Sequence, residues 1–224
     1  MNQLRNDAPK LRALVEVVMA SANPHKVTEI EALLRATLPN LVVLPRPDDV
    51  EEVIEDADTL LGNARLKAHA LAQATQKPAV ADDTGLFVDA LGGDPGVYTA
   101  RYAGEHATYS ENCQKLLREL SRVGASLPAE RTASFATVAI VAWPDGTEVW
   151  AEGRVQGIIT TEVQGDSGFG YDPVFAPLEA VPTGAALGQR AAEQRTFAQL
   201  GEAVKNTISH RSRAFEALSA LLRA

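Results

Sequence analysis

Apolar positions recur along this chain with two different periods, and the switches between them mark out strands and helices. Leu14 to Ala20 is rich in β-branched residues and reads as a buried strand. It ends at Ser21-Ala22-Asn23-Pro24-His25-Lys26, after which Val27, Ile30, Leu33 and Leu34 return at three- and four-residue steps. That spacing predicts a helix to about Thr37, with Asn23 as its N-cap and Pro24 in its first turn. Leu41 to Leu44 predicts a second strand, and Thr59 to Gln76 a long helix with Leu60, Ala64, Lys67, Leu71 and Ala74 along one side. Ala79 to Ala81 reads as the end of a short strand, followed by a sharp turn that Gly85 permits. Thr108 to Arg122 predicts another helix. Arg131 to Trp143 and Thr147 to Gly157 read as strands joined through Pro144-Asp145-Gly146, a hairpin suited to a sheet edge or a subunit surface. Thr196 opens a short helix through about Lys205, which Asn206-Thr207-Ile208 interrupts, and Ser209 caps a last helix that buries Ala214, Leu218 and Leu221.

Strands followed by helices predict an α/β fold. No internal repeat, low-complexity tract or linker divides the sequence, so residues 14–224 read as one domain. The polar residues before it, 1–13, read as a flexible extension. Hydrophobic residues make up 46% of the 224 positions, enough to fill a substantial core.

A formal net charge of −8 disfavours broad electrostatic binding to nucleic acid or to an anionic membrane. Any phosphate site must therefore be made by a few local cations. No apolar run is long enough to span a bilayer. Cys113, the only cysteine, cannot form an intrachain disulfide or a cysteine-based zinc site, which fits a reducing cytoplasm.

Six features carry candidate chemistry. Asp82-Asp83-Thr84-Gly85 would place adjacent carboxylates where a strand stops, the usual ligand position in α/β folds and one where oxygen donors could hold Mg2+ against a phosphate. Read alone, the same residues also describe a solvated turn. Ser21 to Lys26 joins a strand to a helix, so backbone N–H groups, the helix dipole and Lys26 could face an anion. No GxxxxGK[ST] or GxGxxG signature accompanies it. Asp48 to Asp58 holds seven acids in eleven residues, of which Glu52 or Glu55 could turn inward as a metal ligand. Lys67 lies within an apolar helical stripe, placed either to snorkel or to reach a phosphate. Gly165 to Pro173 combines three glycines with Phe169, Tyr171 and Asp172. Phe169 could stack on a base, while Asp172 could bond its polar edge or order its own neighbours. His210 and Arg211 sit in the first turn of the last helix, where cations oppose the dipole unless a ligand or an acid rewards them.

Taken together, Ser21 to Lys26, Asn63-Ala-Arg-Leu-Lys67-Ala, Ala81-Asp-Asp-Thr-Gly85, Leu91 to Tyr98 with Ala100 to Gly104, Gly168-Phe-Gly-Tyr-Asp-Pro173 and Ile208-Ser-His-Arg211 resemble the inosine triphosphate pyrophosphatase family, the Ham1-like or RdgB-like enzymes. The resemblance runs in order from about Val15 to the last helix. It departs from the common pattern at Ala22, at Thr84, at Pro24-His25 and over Asp48 to Leu61.

It implies an elongated α/β fold, a central mixed sheet with two lobes flanking a nucleotide cleft, and a homodimer. The implied reaction is Mg2+-dependent hydrolysis of non-canonical purine nucleoside triphosphates, such as ITP, dITP and XTP, to the monophosphate and pyrophosphate. By position, Ser21, Ala22, Asn23, Pro24, His25 and Lys26 would form the triphosphate loop, and Asp83 would be proton acceptor and metal contact with Glu52 as a second ligand. Lys67 would lie near the phosphates and Thr84 would hold substrate. Phe169, Gly170, Tyr171 and Asp172 would form the base-side loop, with Lys205, His210 and Arg211 completing purine recognition. A Maf-like pyrophosphatase acting on modified pyrimidines is the nearest alternative, disfavoured by the Phe169 loop and by Ser209-His210-Arg211.

Overall fold

A computed structural model of the chain describes residues 15–51, 53–178 and 195–223. The expected extension over 1–13 and the candidate ligand Glu52 lie outside the described residues.

Local sequence signals set most of the elements. Strand β1 is Glu16–Met19 and helix α1 is Pro24–Thr37, whose first turn is closed by the Asn23 side chain accepting from the N–H groups of His25 and Lys26. Strand β2 is Val42–Leu44. Helix α2, Leu60–Thr75, begins at the Thr59 hydroxyl, which accepts from the Gly62 N–H, and ends where Gln76 turns left-handed. Strand β3 is Ala79–Val88 and β4 the two residues Pro95–Gly96. Helix α3, Tyr109–Arg122, starts on a capping box between Thr108 and Glu111. Strands β5, Thr132–Ala142, and β6, Glu148–Ile159, follow, then β7, Phe175–Pro177. Helices α4, Phe197–Leu200, α5, Glu202–Ile208, and α6, His210–Arg223, complete the described chain.

The strands form one open mixed sheet in the order β2-β1-β3-β5-β6-β7, with β4 paired to β3. Strand β1 is parallel to both β2 and β3, whereas the β3–β4 and β6–β7 pairs are antiparallel. The mixed α/β fold expected from the sequence is therefore present.

Packing divides the described chain into two compact units. One comprises the chain up to Thr84, Thr137–Gly153 and the chain from Arg211. Its core gathers Val17, Met19, Ile30, Leu34, Val80, Val141, Phe215 and Leu218. The other comprises Gly85–Ala136 and Arg154–His210. Its core gathers Leu86, Leu116, Leu120, Phe135, Phe175 and Phe197. Each fully buried Leu or Phe stabilises its unit by roughly 1.5–3 kcal/mol.

Three local expectations are corrected. No sharp turn occurs at Gly85: β3 continues through it to Val88. A Cβ at this position would come within 2.8 Å of the Gly96 carbonyl oxygen and 2.9 Å of the Phe87 ring, so glycine is needed for the close approach of β4. The break between the two short helices falls at Gly201, whose φ of 78° suits glycine, and Asn206-Thr207-Ile208 remain helical. The hairpin is an edge only towards its turn, because β7 pairs with Gly157 to Ile159.

Candidate active site

The parallel pairing between β1 and β3 ends at Met19 and Val80, where the chain leaves β1 for the loop into α1. Strand β3 runs on, and its next residues are Asp82, Asp83 and Thr84. The acids thus lie beyond the carboxyl end of β1, although they sit in the middle of β3. Successive strand side chains point to opposite faces, which gives the two acids different neighbours.

Asp82 meets cations from two helices. Lys26, in the first turn of α1, brings Nζ to 3.5 Å from Asp82 Oδ1. Arg211, in the first turn of α6, donates to Asp82 Oδ2 from Nε at 3.2 Å and NH2 at 3.1 Å. The same guanidinium donates from NH1 to Glu29 Oε2 at 2.6 Å and from NH2 to Thr84 Oγ1 at 3.2 Å. A cation at a helix N-terminus is thereby rewarded by two buried carboxylates. Burial alone would raise the Asp82 carboxyl, but Lys26 and Arg211 outweigh it and hold Asp82 well below the usual carboxylate range.

Asp83 faces α2. Lys67 Nζ stands 3.3 Å from Asp83 Oδ1 and 3.1 Å from Glu55 Oε2. Asn63, one turn before Lys67, donates from Nδ2 to Asp83 Oδ2 at 3.3 Å, while its Oδ1 accepts from the Ala57 N–H at 2.9 Å. Burial pushes the Asp83 carboxyl up, against the opposing pull of Lys67 and Lys26. Lys67 itself is held above the usual lysine value: burial works against its charge, and Asp83, Asp82 and Glu55 outweigh it. Two adjacent carboxyls are therefore driven in opposite directions, the arrangement that separates a proton acceptor from a permanently ionised neighbour.

In the same unit, the loop before α1 turns on itself: the Asn23 N–H donates to Ser21 Oγ at 3.2 Å, while Ala22, Pro24 and His25 are exposed. From this loop the Lys26 side chain reaches the acidic strand.

The second unit holds the glycine-aromatic loop. Gly168 and Gly170 have φ of 81° and 65°, and a Cβ on Gly168 would fall on the Asp172 carboxylate. Asp172 Oδ2 accepts from the Phe169 N–H at 2.9 Å and from Lys205 Nζ at 2.8 Å. The Lys205 ammonium also sits 4.3 Å from the centroid of the Phe169 ring. Cys113 Sγ donates to the Gly170 carbonyl at 3.3 Å, and the Tyr171 hydroxyl to the Thr99 carbonyl at 2.9 Å. The His210 ring is buried, stacked on Phe135 at 4.5 Å between centroids. Asp172 thus orders its own loop, one of the two roles open to it from the sequence.

Three polar residues of the first unit escaped the sequence reading as site members: Glu29, Asn63 and Thr137. Asn63 had a local signal, its four-residue spacing from Lys67 on one helical face. Glu29 stands three residues after Lys26, on the same face of α1. Thr137 had none, because its partner Thr84 is distant in sequence and adjacent only in space.

A mixed α/β sheet that carries an acidic pair on β3, beyond the carboxyl end of β1, with lysines from two helices against it, places charged groups where α/β proteins usually bind ligands. The chain belongs to the Ham1 family, whose model matches residues 17–221. Similar sequences include a dITP/XTP pyrophosphatase of Streptomyces avermitilis, 41% identical over 94% of this chain and 98% of that protein. A dITP/XTP pyrophosphatase of Bacillus subtilis is 38% identical over 93% of this chain and 98% of that protein. Among solved structures, a HAM1 protein from Coxiella burnetii superposes with a TM-score of 0.78 at 37% identity, covering 93% of this chain and 98% of that one. The Ham1 protein of Staphylococcus aureus gives 0.74 at 36% identity, over 92% of this chain and 97% of that one.

Proposed function

We propose that this chain is a Mg2+-dependent nucleoside triphosphate pyrophosphatase that hydrolyses non-canonical purine nucleotides, ITP, dITP and XTP, to the monophosphate and pyrophosphate. The carrying observation is the split pair on β3, with Asp83 raised beside Lys67 and Asp82 held ionised by Lys26 and Arg211. Membership of the Ham1 family and the names of the similar proteins support the substrate class.

In this reading Asp83 accepts a proton from the water that attacks the α-phosphorus. The new bond is water oxygen to phosphorus, and the bond that breaks is phosphorus to the α–β bridging oxygen. Lys67 and Lys26 stabilise the charge that develops on departing pyrophosphate. Asp82 stays ionised and keeps Arg211 and Lys26 in place. Phe169, presented by its glycine-flanked loop and ordered by Asp172 and Lys205, offers a ring face to the base, with His210 as a further donor. Donors facing a 6-keto oxygen disfavour adenine, whose amino group would leave them unpaired.

The donor set suits Mg2+. Asp83 and Glu55 bring carboxylate oxygens to one ammonium, that of Lys67, so hard oxygen donors already converge on a cationic group. Bound there by Asp83 and Glu55, the ion would neutralise phosphate charge and acidify water. Among the described residues no cluster of three or more His, Cys, Asp or Glu gathers for a metal. A cytoplasmic homodimer completes the proposal, and light scattering after gel filtration measures the dimer.

Pyrophosphate release from ITP, XTP, dITP, ATP and GTP in the presence of Mg2+ tests the activity. Preferential turnover of the first three is expected. Equal turnover of all five, or none, would sink it.

A further inference from the structure

The buried hydroxyl of Thr137 has no part in the chemistry described so far, yet it lies 2.7 Å from the Thr84 hydroxyl. Thr137 is on β5 and has no solvent exposure. Thr84 Oγ1 also stands 3.3 Å from Asp82 Oδ2 and 3.2 Å from Arg211 NH2, which can only donate. Among the described residues, Thr84 is the side-chain partner of Thr137.

Proton counting settles the direction of these bonds. Each hydroxyl has one proton and two acceptor sites. If Thr84 gave its proton to Thr137, Asp82 would lose a donor and the Thr137 proton would be buried facing no acceptor, an unfavourable outcome in a dry site. If Thr137 donates to Thr84, every group is satisfied. Thr84 accepts from Thr137 and from Arg211, and its own proton points to the Asp82 carboxylate.

We propose that Thr137 is a positioning residue that, through the directed chain Thr137 to Thr84 to Asp82, keeps the Thr84 hydroxyl a donor towards substrate phosphate. With both acceptor sites of Thr84 occupied, the hydroxyl has only its proton to offer. An incoming phosphate oxygen needs that proton, and Asp82 can release it while retaining Arg211 and Lys26. This inference rests on the pyrophosphatase reading and on Thr84 as a substrate contact.

The test is a steady-state comparison of Thr137→Val, which keeps shape and removes the hydroxyl, with Thr137→Ser, which keeps the hydroxyl. Thr137→Val is expected to raise KM for ITP by about 10–100-fold, the ordinary worth of a hydrogen bond to a charged group, with a smaller change in kcat. Thr137→Ser should restore KM. In a Thr84→Val background, Thr137→Val should add nothing further, because the group it acts through is gone. Equal impairment by serine and valine, or additive effects in the double variant, would overturn the relay. If Thr137→Val is too unstable to assay, the same contrast is read between Thr137→Ala and Thr137→Ser. Turnover of ITP by the unmutated protein decides the activity reading separately, and only the contrast at position 137 decides the relay.

Discussion

Asp82 and Asp83 are the same residue type one position apart, and their difference is made entirely by what each faces. Strand alternation turns Asp82 to Lys26 and Arg211 and turns Asp83 to Lys67 and Asn63. The first is held below the usual carboxylate range and the second is raised by burial, the difference on which the proposed role of Asp83 as proton acceptor rests. Replacing Asp83 by Asn keeps the Asn63 contact region filled and removes the proton acceptor. Turnover of ITP should fall by about 10²–10⁴-fold, the usual worth of a general base. Binding of ITP, measured by calorimetry, should persist, and unchanged turnover would exclude Asp83 as the base. From sequence, the acidic pair was visible as a candidate and the family resemblance singled out Asp83 as proton acceptor, but the physical cause of the division was not legible. That division depends on Arg211, far along the chain, and on Glu55 and Asn63, whose relation to Asp83 is spatial.

Helices α1, α2 and α3 were legible because their signals are local: an N-cap, an apolar period and a stop all lie within each segment. Strand β3 was read too short for the opposite reason. Gly85 suggests a turn in isolation, whereas it serves a close contact with Gly96, made by a loop that returns to the sheet about ten residues later. Gly201, with its positive φ, makes the break between α4 and α5, whereas Asn206 and Thr207, which favour turns in isolation, continue the helix. The glycine of β3 is open to test. Gly85→Ala would force a methyl group against the Gly96 carbonyl and the Phe87 ring, both held by the β3–β4 pairing. Overpacking of this kind costs about 1–3 kcal/mol, which corresponds to a fall in Tm on the order of 2–10 °C for a chain of this size. Calorimetric melting measures it, and an unchanged Tm would mean that β4 yields without loss.

At the scale of the whole molecule the governing quantity is charge. The protein carries a formal −8, and a nucleoside triphosphate is itself strongly anionic, so association must overcome repulsion over the distance that salt does not screen. The local cations do not do this alone. Lys26 is engaged by Asp82, Lys67 by Asp83 and Glu55, and Arg211 by Asp82 and Glu29, so each arrives at the substrate already facing carboxylate. A divalent cation between carboxylate oxygen and phosphate oxygen removes that conflict, and this is the physical reason for the proposed dependence on Mg2+. Chelation with excess EDTA should therefore bring pyrophosphate release from ITP to background, and Mg2+ in excess of the chelator should restore it. The two hydrophobic cores are built from apolar side chains and not from the proposed metal ligands, so the melting temperature in EDTA is expected to stay where it was. Undiminished turnover in EDTA would rule out the metal, whereas loss of turnover together with loss of fold would show the ion to be structural instead.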